Sequence, residues 1–502
     1  MDITDYVKQT VDPSLEVGGP VLEDNSIESY DLMTVLPTAS SSIDNPVGDL
    51  RFDINQSDQY LHLHKAFLHL RIQALNITNP NNKIPISAAR ENSDNVAGDN
   101  AVAGKYLGAP THNAWAHLFS DVRWEINSQP IQRYHEFSTI NTMHRTILST
   151  TDTNDYGLDS GAFCLESGSR LGGDGVVTSI KSGINLISDT INNNVPPVEP
   201  LSTLINKGFQ KRRQYFTRFA DTAAERGTMD FQIPLSEIFT FHRDYKQVIF
   251  GMSHALVMTF AEMTNAVKNF FQFNNDPTNP AIWVPGIKFE YAALMVPTVR
   301  PSLVMQEKFN RMILDKVEYP ISFRGMRVST FSVPDTSDFS WNAASVSISS
   351  EQPLWCVIGF QNTFRDNKFN YTKSMFDNLN VTDISAYANG AKLPLQTRNY
   401  NRDKFGFSRP YNEFQSFKHD FDGYDKTSRS AVDQFDYTQL YPLYVIDLNR
   451  IPEQRRNGVV NISIQARLGS NAPAGTRAYM LLYTKSVLTA VSDGTRLNLV
   501  RQ

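Results

Sequence analysis

Three histidines sit close together in the stretch Leu61-His62-Leu63-His64-Lys65-Ala66-Phe67-Leu68-His69-Leu70. An H-x-H pair on a strand puts both imidazoles on one face, as a copper or zinc site requires. Here the histidines alternate with Leu61, Leu63, Leu68 and Leu70. No H-x-x-x-H pattern and no cysteine lies nearby, so they read as the polar face of an amphipathic strand rather than as a metal centre. The alternation slips at Lys65 to Phe67, which suggests a β-bulge. His254 falls on the apolar side of a different strand, where a lone histidine reads as a core or interface residue.

A second group mixes cations and rings. Lys207, Lys211, Arg212, Arg213 and Arg218 interleave with Phe209, Tyr215, Phe216 and Phe219. Such a patch can bind phosphates and stack bases, or it can be one face of an amphipathic helix at a subunit interface. The formal net charge of −5 favours the interface and argues against a strong pull toward nucleic acid. Gly172-Gly173-Asp174-Gly175 lacks a following Lys-Ser/Thr and a strand–helix context, so it is not read as a phosphate loop. There is no G-x-S-x-G, and no local signature pairs a cysteine with a histidine. The reading therefore names no catalytic, cofactor-binding or metal-ligating residue, expects no cofactor, and takes the chain not to be an enzyme.

The elements that would hold these residues are mostly strands. At 502 residues the chain exceeds one ordinary core. Its hydrophobic share of 41% and charged share of 20% are globular values, and the aromatic share of 11% suits broad β-surfaces. Cys164 and Cys356 fall in different halves, which points to a reducing compartment rather than a disulfide framework. The acidic, polar start (MDITDYVKQTVDPSLEVGG) has neither the basic nor the apolar region of a signal peptide. No stretch approaches the length of apolar sequence that a membrane span needs.

The main organising feature is a repeat. Gln439 to Val491 contains a Pro442-Leu443 strand entry, a charged turn at Glu453 to Arg456, and a strand alternating through Val460, Ile462, Ile464, Ala466 and Leu468. An earlier stretch answers with Pro234-Leu235, a turn at His242-Arg243-Asp244, and Met252, His254, Leu256, Met258 and Phe260. Each series ends in a strand rich in aliphatic and aromatic residues, Phe289 to Met295 and Ala478 to Tyr483. Asp121 to Ile131 parallels Asp383 to Leu393, each a strand entering an Asn-Ser or Asn-Gly hairpin turn. Two elements repeated in one order indicate two similar β-domains in tandem.

Residues 1–27 read as an N-terminal arm. Residues 28–305 read as a first domain with a large insertion at about 150–226, in which Leu201 to Arg226 is helical. Residues 306–502 read as a second domain with a long loop at about 400–434 and a short C-terminal tail. A helix is expected at Lys308 to Asp315, and short helices at Ala114 to Phe119 and Thr372 to Asn378. The stretch 79–108 reads as loop.

The second half resembles the double jelly-roll major capsid proteins of Polinton/Maverick elements, adintoviruses and virophage-like viruses. The resemblance rests on Trp355-Cys-Val-Ile-Gly-Phe-Gln-Asn362, the strand and turn Asp383 to Pro394, the excursion Arg402-Asp-Lys-Phe405, Tyr441-Pro-Leu-Tyr-Val-Ile-Asp-Leu448, and the last strand Ala478 to Lys485. It implies an all-β chain of two tandem eight-stranded jelly rolls with long insertions and a few short helices. It further implies homotrimeric, pseudo-hexameric capsomers in an icosahedral virion, with neighbouring capsomers, penton and minor capsid proteins as partners. Sequence-specific nucleic-acid contact and a transmembrane segment are not expected. A β-sandwich enzyme, or a glycan-binding or adhesive spike protein on the same scaffold, is the alternative.

Overall fold

The computed structural model describes the chain apart from residues 1–25, 39–45, 56–58, 77–83, 86–107, 167–207, 210, 213–214, 216–226, 274–284, 317, 348–350, 369–371, 395–406, 424–429, 450–457, 493–496 and 502. Its strands form two matching sets. The first is β1 (Ile27–Val35), β2 (Asp49–Ile54), β3 (Phe67–Asn76), β4 (Phe119–Ile126), β5 (Gln129–His135), β6 (Thr228–Pro234), β7 (His254–Phe260) and β8 (Pro285–Pro301). The second is β9 (Tyr319–Ser332), β10 (Asp338–Ser347), β11 (Glu351–Asn362), β12 (Val381–Ala388), β13 (Ala391–Leu393), β14 (Tyr444–Asp447), β15 (Val459–Leu468) and β16 (Thr476–Ser492).

In the first set, one antiparallel sheet runs β1-β8-β3-β6 and the facing sheet runs β2-β7-β4-β5. In the second set the orders are β9-β16-β11-β14 and β10-β15-β12-β13. Each strand of the first set thus has its counterpart eight places later. Each half is an eight-stranded jelly roll, two sheets packed face to face. Short segments, among them Tyr60–Leu61 and Leu497–Arg501, extend the larger sheets.

Sequence patterning accounts for the smaller sheet of the second half. In β15 the residues Val460, Ile462, Ile464, Ala466 and Leu468 are all buried, and their neighbours point outward, as a half-buried strand requires. β11 and β16 lose that alternation, because both of their faces are covered. Cys356, Ile358, Phe360, Ala478, Met480 and Leu482 fill the second jelly roll's own interior. Val357, Tyr479, Leu481 and Tyr483 point the other way, into a core continuous with the first half.

Helices connect these strands. They include α1 (Phe137–Leu148), α2 (Thr151–Tyr156), α3 (Thr240–Asp244), α4 (Met263–Phe270), α5 (Leu303–Leu314), α6 (Ser408–Asp422) and α7 (Gln434–Gln439). α5 occupies the expected place but begins five residues earlier than Lys308. The short helix expected at Ala114 to Phe119 is a 3-10 helix, Ala114–Leu118.

Several local expectations need correction. The slip at Lys65 is a 3-10 turn, Leu63–Lys65, and not a bulge within a continuous strand. Leu63 and Ala66 are both buried there, so the chain turns to keep two consecutive apolar anchors in the core. Thr372 to Asn378 is one turn at Lys373–Ser374 followed by irregular chain, rather than a helix. The Gln361 amide donates to the carbonyls of Lys373 and Met375, which diverts those acceptors from helical bonding. Pro234 closes β6, whereas Pro442-Leu443 precedes β14, so the two Pro-Leu pairs lie at opposite ends of equivalent strands. His242-Arg243-Asp244 belongs to α3 rather than to a turn. The excursion at 400–434 is not loop throughout, since it carries the fifteen-residue α6. The charged turn at Glu453 to Arg456, the Arg402 to Phe405 excursion, most of the 79–108 stretch and most of Leu201 to Arg226 lie outside the described residues.

Candidate functional site: the seam between the jelly rolls

The seam begins with α6. Phe414, Phe417 and Phe421 recur at three- and four-residue spacing and are all buried. Phe417 meets Trp355 edge-on at 5.5 Å, and Phe421 meets Tyr483 at 5.3 Å. The helix therefore seals the outer face of the β11–β16 sheet against the first half.

Polar contacts then fix the register of the two halves. The Arg324 backbone and Nε each donate to Asp244 Oδ2 at 2.8 Å. The Arg324 guanidinium also lies 3.5 Å from the centre of the Phe421 ring, a cation–π contact. Arg243 donates to Asp422 at 2.6 Å. His144 Nδ1 lies 2.8 Å from the Tyr483 hydroxyl, and the Tyr245 and Tyr319 hydroxyls are 2.8 Å apart. Asn269 and Asn367 exchange reciprocal bonds, side chain to side chain at 3.1 Å and backbone to side chain at 2.9 Å.

One contact also fixes a tautomer. Ser374 donates its single hydroxyl proton to the His112 carbonyl, so His117 Nε2, 2.8 Å from Ser374 Oγ, must donate. His117 and His144 are both buried, and burial pushes each imidazole pKa down to about 3. Lys373 adds to the effect at His117, and Arg243, Arg324 and Arg145 add to it at His144. The seam histidines are thus neutral hydrogen-bonding groups. A cavity of about 180 Å³ opens beside His144, lined also by Arg145, Glu237, Arg243 and Asp422.

The residues singled out in the sequence do not converge. His62 Nδ1 faces the Tyr30 hydroxyl at 3.3 Å, His64 Nδ1 donates to the His242 carbonyl at 2.7 Å, and His69 Nε2 pairs with Asp230 at 2.6 Å. All three are half-buried, and each turns to a different partner. Among the described residues no group of three or more His, Cys, Asp or Glu side chains is arranged to hold a metal. His254 is buried in the first jelly roll, with its ring 5.7 Å from that of Trp124.

The basic–aromatic patch is different from a surface patch where it is described. Arg212 is fully buried and pairs with the equally buried Glu166. Its Nε donates to the Pro110 carbonyl at 2.8 Å, and it also reaches the Cys164 carbonyl. Phe209 and Tyr215 are buried beside it. Arg212 is therefore an internal strut, because a guanidinium can satisfy a carboxylate and several carbonyls at once. Lys207, Arg213, Phe216, Arg218 and Phe219 lie outside the described residues. The seam itself was not found from the sequence. The Phe414/Phe417/Phe421 spacing was the available signal, hidden among Asp, Lys and Asn residues.

A family model described as the double jelly roll-like domain matches residues 181–488. The chain belongs to that family. Among solved structures, a chain of the Sputnik virophage is similar at 13% identity and a TM-score of 0.56, covering 98% of this chain and 92% of that one. The Faustovirus major capsid protein is similar at 10% identity and a TM-score of 0.52, covering 98% and 94%. No curated protein matches. No described helix is long and apolar enough to cross a membrane.

Proposed function

We propose that this chain is a major capsid protein, a structural component of an icosahedral virion. The observation that carries the reading is the duplication itself. Two jelly rolls with strand-for-strand equivalence are locked by a shared core into one unit, and that fold is similar along nearly the whole chain to the Faustovirus major capsid protein. In this reading residues 1–27 form an arm, and residues 28–305 and 306–502 form the two jelly rolls. Three copies close into a homotrimer that presents six jelly rolls around its axis. Cyclic closure of this kind uses heterologous contacts and leaves neither of the two complementary patches unpaired. Capsomers then pack against one another, with penton and minor capsid proteins at special positions. A protein of this kind works by surface complementarity and needs no reacting group.

The test is the mass of the purified chain by light scattering. The expected species has three times the 56.7 kDa of one chain. A stable monomer at every concentration would overturn the trimer.

A further inference from the structure

Histidine is unevenly placed in this chain. Of the 10 histidines only His419 belongs to the second half. Two of the buried ones reach across the seam. His117 donates from Nε2 to Ser374, and its Nδ1 is buried without a partner. His144 meets the Tyr483 hydroxyl through Nδ1, and its Nε2 is buried without a partner. Each ring thus uses one nitrogen on the other half and leaves the second bare. An imidazolium in either place would add an N–H that needs an acceptor and a charge that needs a counter-ion.

The surroundings supply neither. Arg145 on α1, Arg243 on α3 and Arg324 on β9 all act on His144. The carboxylates beside them are already engaged: Glu237 pairs with Arg145, Asp422 of α6 with Arg243, and Asp244 of α3 with Arg324. β16 brings only the Tyr483 hydroxyl to the ring, and α6 also carries the buried Lys418. His117 faces Lys373, which pairs with Asp366, and lies near the buried His112. Its 3-10 turn packs on α1 and α4, and neither helix contains an acid. β4, which follows that turn, holds Asp121 and Glu125 in pairs with Arg133 and Arg123. The second jelly roll, by contrast, has an interior of its own, built from residues of the second half alone and without a histidine.

We propose that the seam is an acid-operated joint: protons taken up by His117 and His144 break the two cross-half hydrogen bonds and part the jelly rolls, while each roll keeps its own sheets. The cavity of about 180 Å³ beside His144 is the route by which water reaches that ring. Arg243 and Arg324 belong to opposite halves, so a charged His144 is repelled from both sides of the seam at once. Buried histidines that charge in mild acid are a recurrent basis of such switches. In a virion the joint would loosen the shell in an acidic compartment. That consequence rests on the capsid reading, whereas the joint itself is a property of one chain.

Hydrogen exchange read by mass spectrometry tests this on the full chain at pH 7, 6 and 5, with the intrinsic rate at each pH divided out. An imidazole held down to about 3 in the closed seam and titrating near 6.5 in the open one raises the opening equilibrium about 25-fold between pH 7 and pH 5, and two such rings raise it about 600-fold. Amides of α1 and α6 should lose protection by that combined factor, while β7 and β15 keep theirs. H144N keeps an amide near the place of Nδ1, H117Q keeps a donor near the place of Nε2, and neither replacement titrates. Each should cut the response to that of one histidine, and H117Q/H144N should abolish it. Seam amides equally protected at pH 7 and pH 5 overturn the proposal. So does loss of protection in step at β7 or β15, which is the unfolding of a whole jelly roll, and so does a double variant with the full response. The parent series decides the matter alone if the variants fail to fold. A chain that stays monomeric still answers it, so failure here is distinguishable from failure of the capsid reading.

Discussion

His144 Nδ1 and the Tyr483 hydroxyl meet at 2.8 Å, although the two residues are 339 positions apart. The bond joins α1 of the first half to β16 of the second, and both side chains are buried. It lies beside Phe417 and Phe421, whose rings pack on Tyr483. The two jelly rolls are therefore tied by side chains that neither half satisfies alone.

Replacing Tyr483 with Phe keeps the ring packing and removes the hydroxyl. His144 Nδ1 is then left buried without its partner, which costs about 1–3 kcal/mol. Urea unfolding should show that loss. An unchanged midpoint would mean that the bond contributes nothing to the joined structure.

Arg212 and Glu166 are both fully buried and paired. Arg212→Met leaves an uncompensated carboxylate and should cost about 3–5 kcal/mol. The double variant R212M/E166L removes both charges and should recover much of that loss. Equal destabilisation in the single and double variants would contradict the ion-pair account.

In β15, Ile464 is fully buried and Val459 is 55% exposed. Ile464→Asp places a charge inside the second sandwich and should cost more than about 4 kcal/mol. Val459→Asp should stay within about 0.5 kcal/mol of the parent. Thermal unfolding of the pair checks the facing of the strand, and similar values for both would reverse it.

Five buried histidines set an acid limit. His117, His144 and His254 are held down to about 3, and His112 and His242 well below their ordinary value, chiefly by burial. They stay neutral in the folded chain, whereas in the unfolded chain they titrate near 6.5. Below that pH the unfolded state binds more protons, so stability falls as pH drops from about 6.5 toward 3. Above it these groups add no pH dependence. Urea midpoints at pH 7, 6 and 5 should decline in that order, and a flat series would contradict the buried neutral state.

The hairpins were the most legible part of the sequence. Asn127-Ser128 and Asn389-Gly390 all take positive φ, as a two-residue hairpin turn demands, and they join β4 to β5 and β12 to β13. The alternation in β15 was equally plain, because one of its faces meets solvent. β11 and β16 gave continuous apolar runs whose second covered face no local pattern identifies. α6 was hidden because its buried stripe is narrow and its other residues are those of a loop. Arg212 read as a surface cation because charge alone says nothing about a carboxylate 46 residues away. The Pro-Leu parallel was misleading, since a dipeptide can mark either end of a strand.

The central claim is a trimer built from two jelly rolls per chain. Negative-stain images of the purified full-length protein test it most directly. Class averages with threefold symmetry and a hexagonal outline are the predicted result. Particles of a single two-lobed chain, with no threefold class at any concentration, would contradict it.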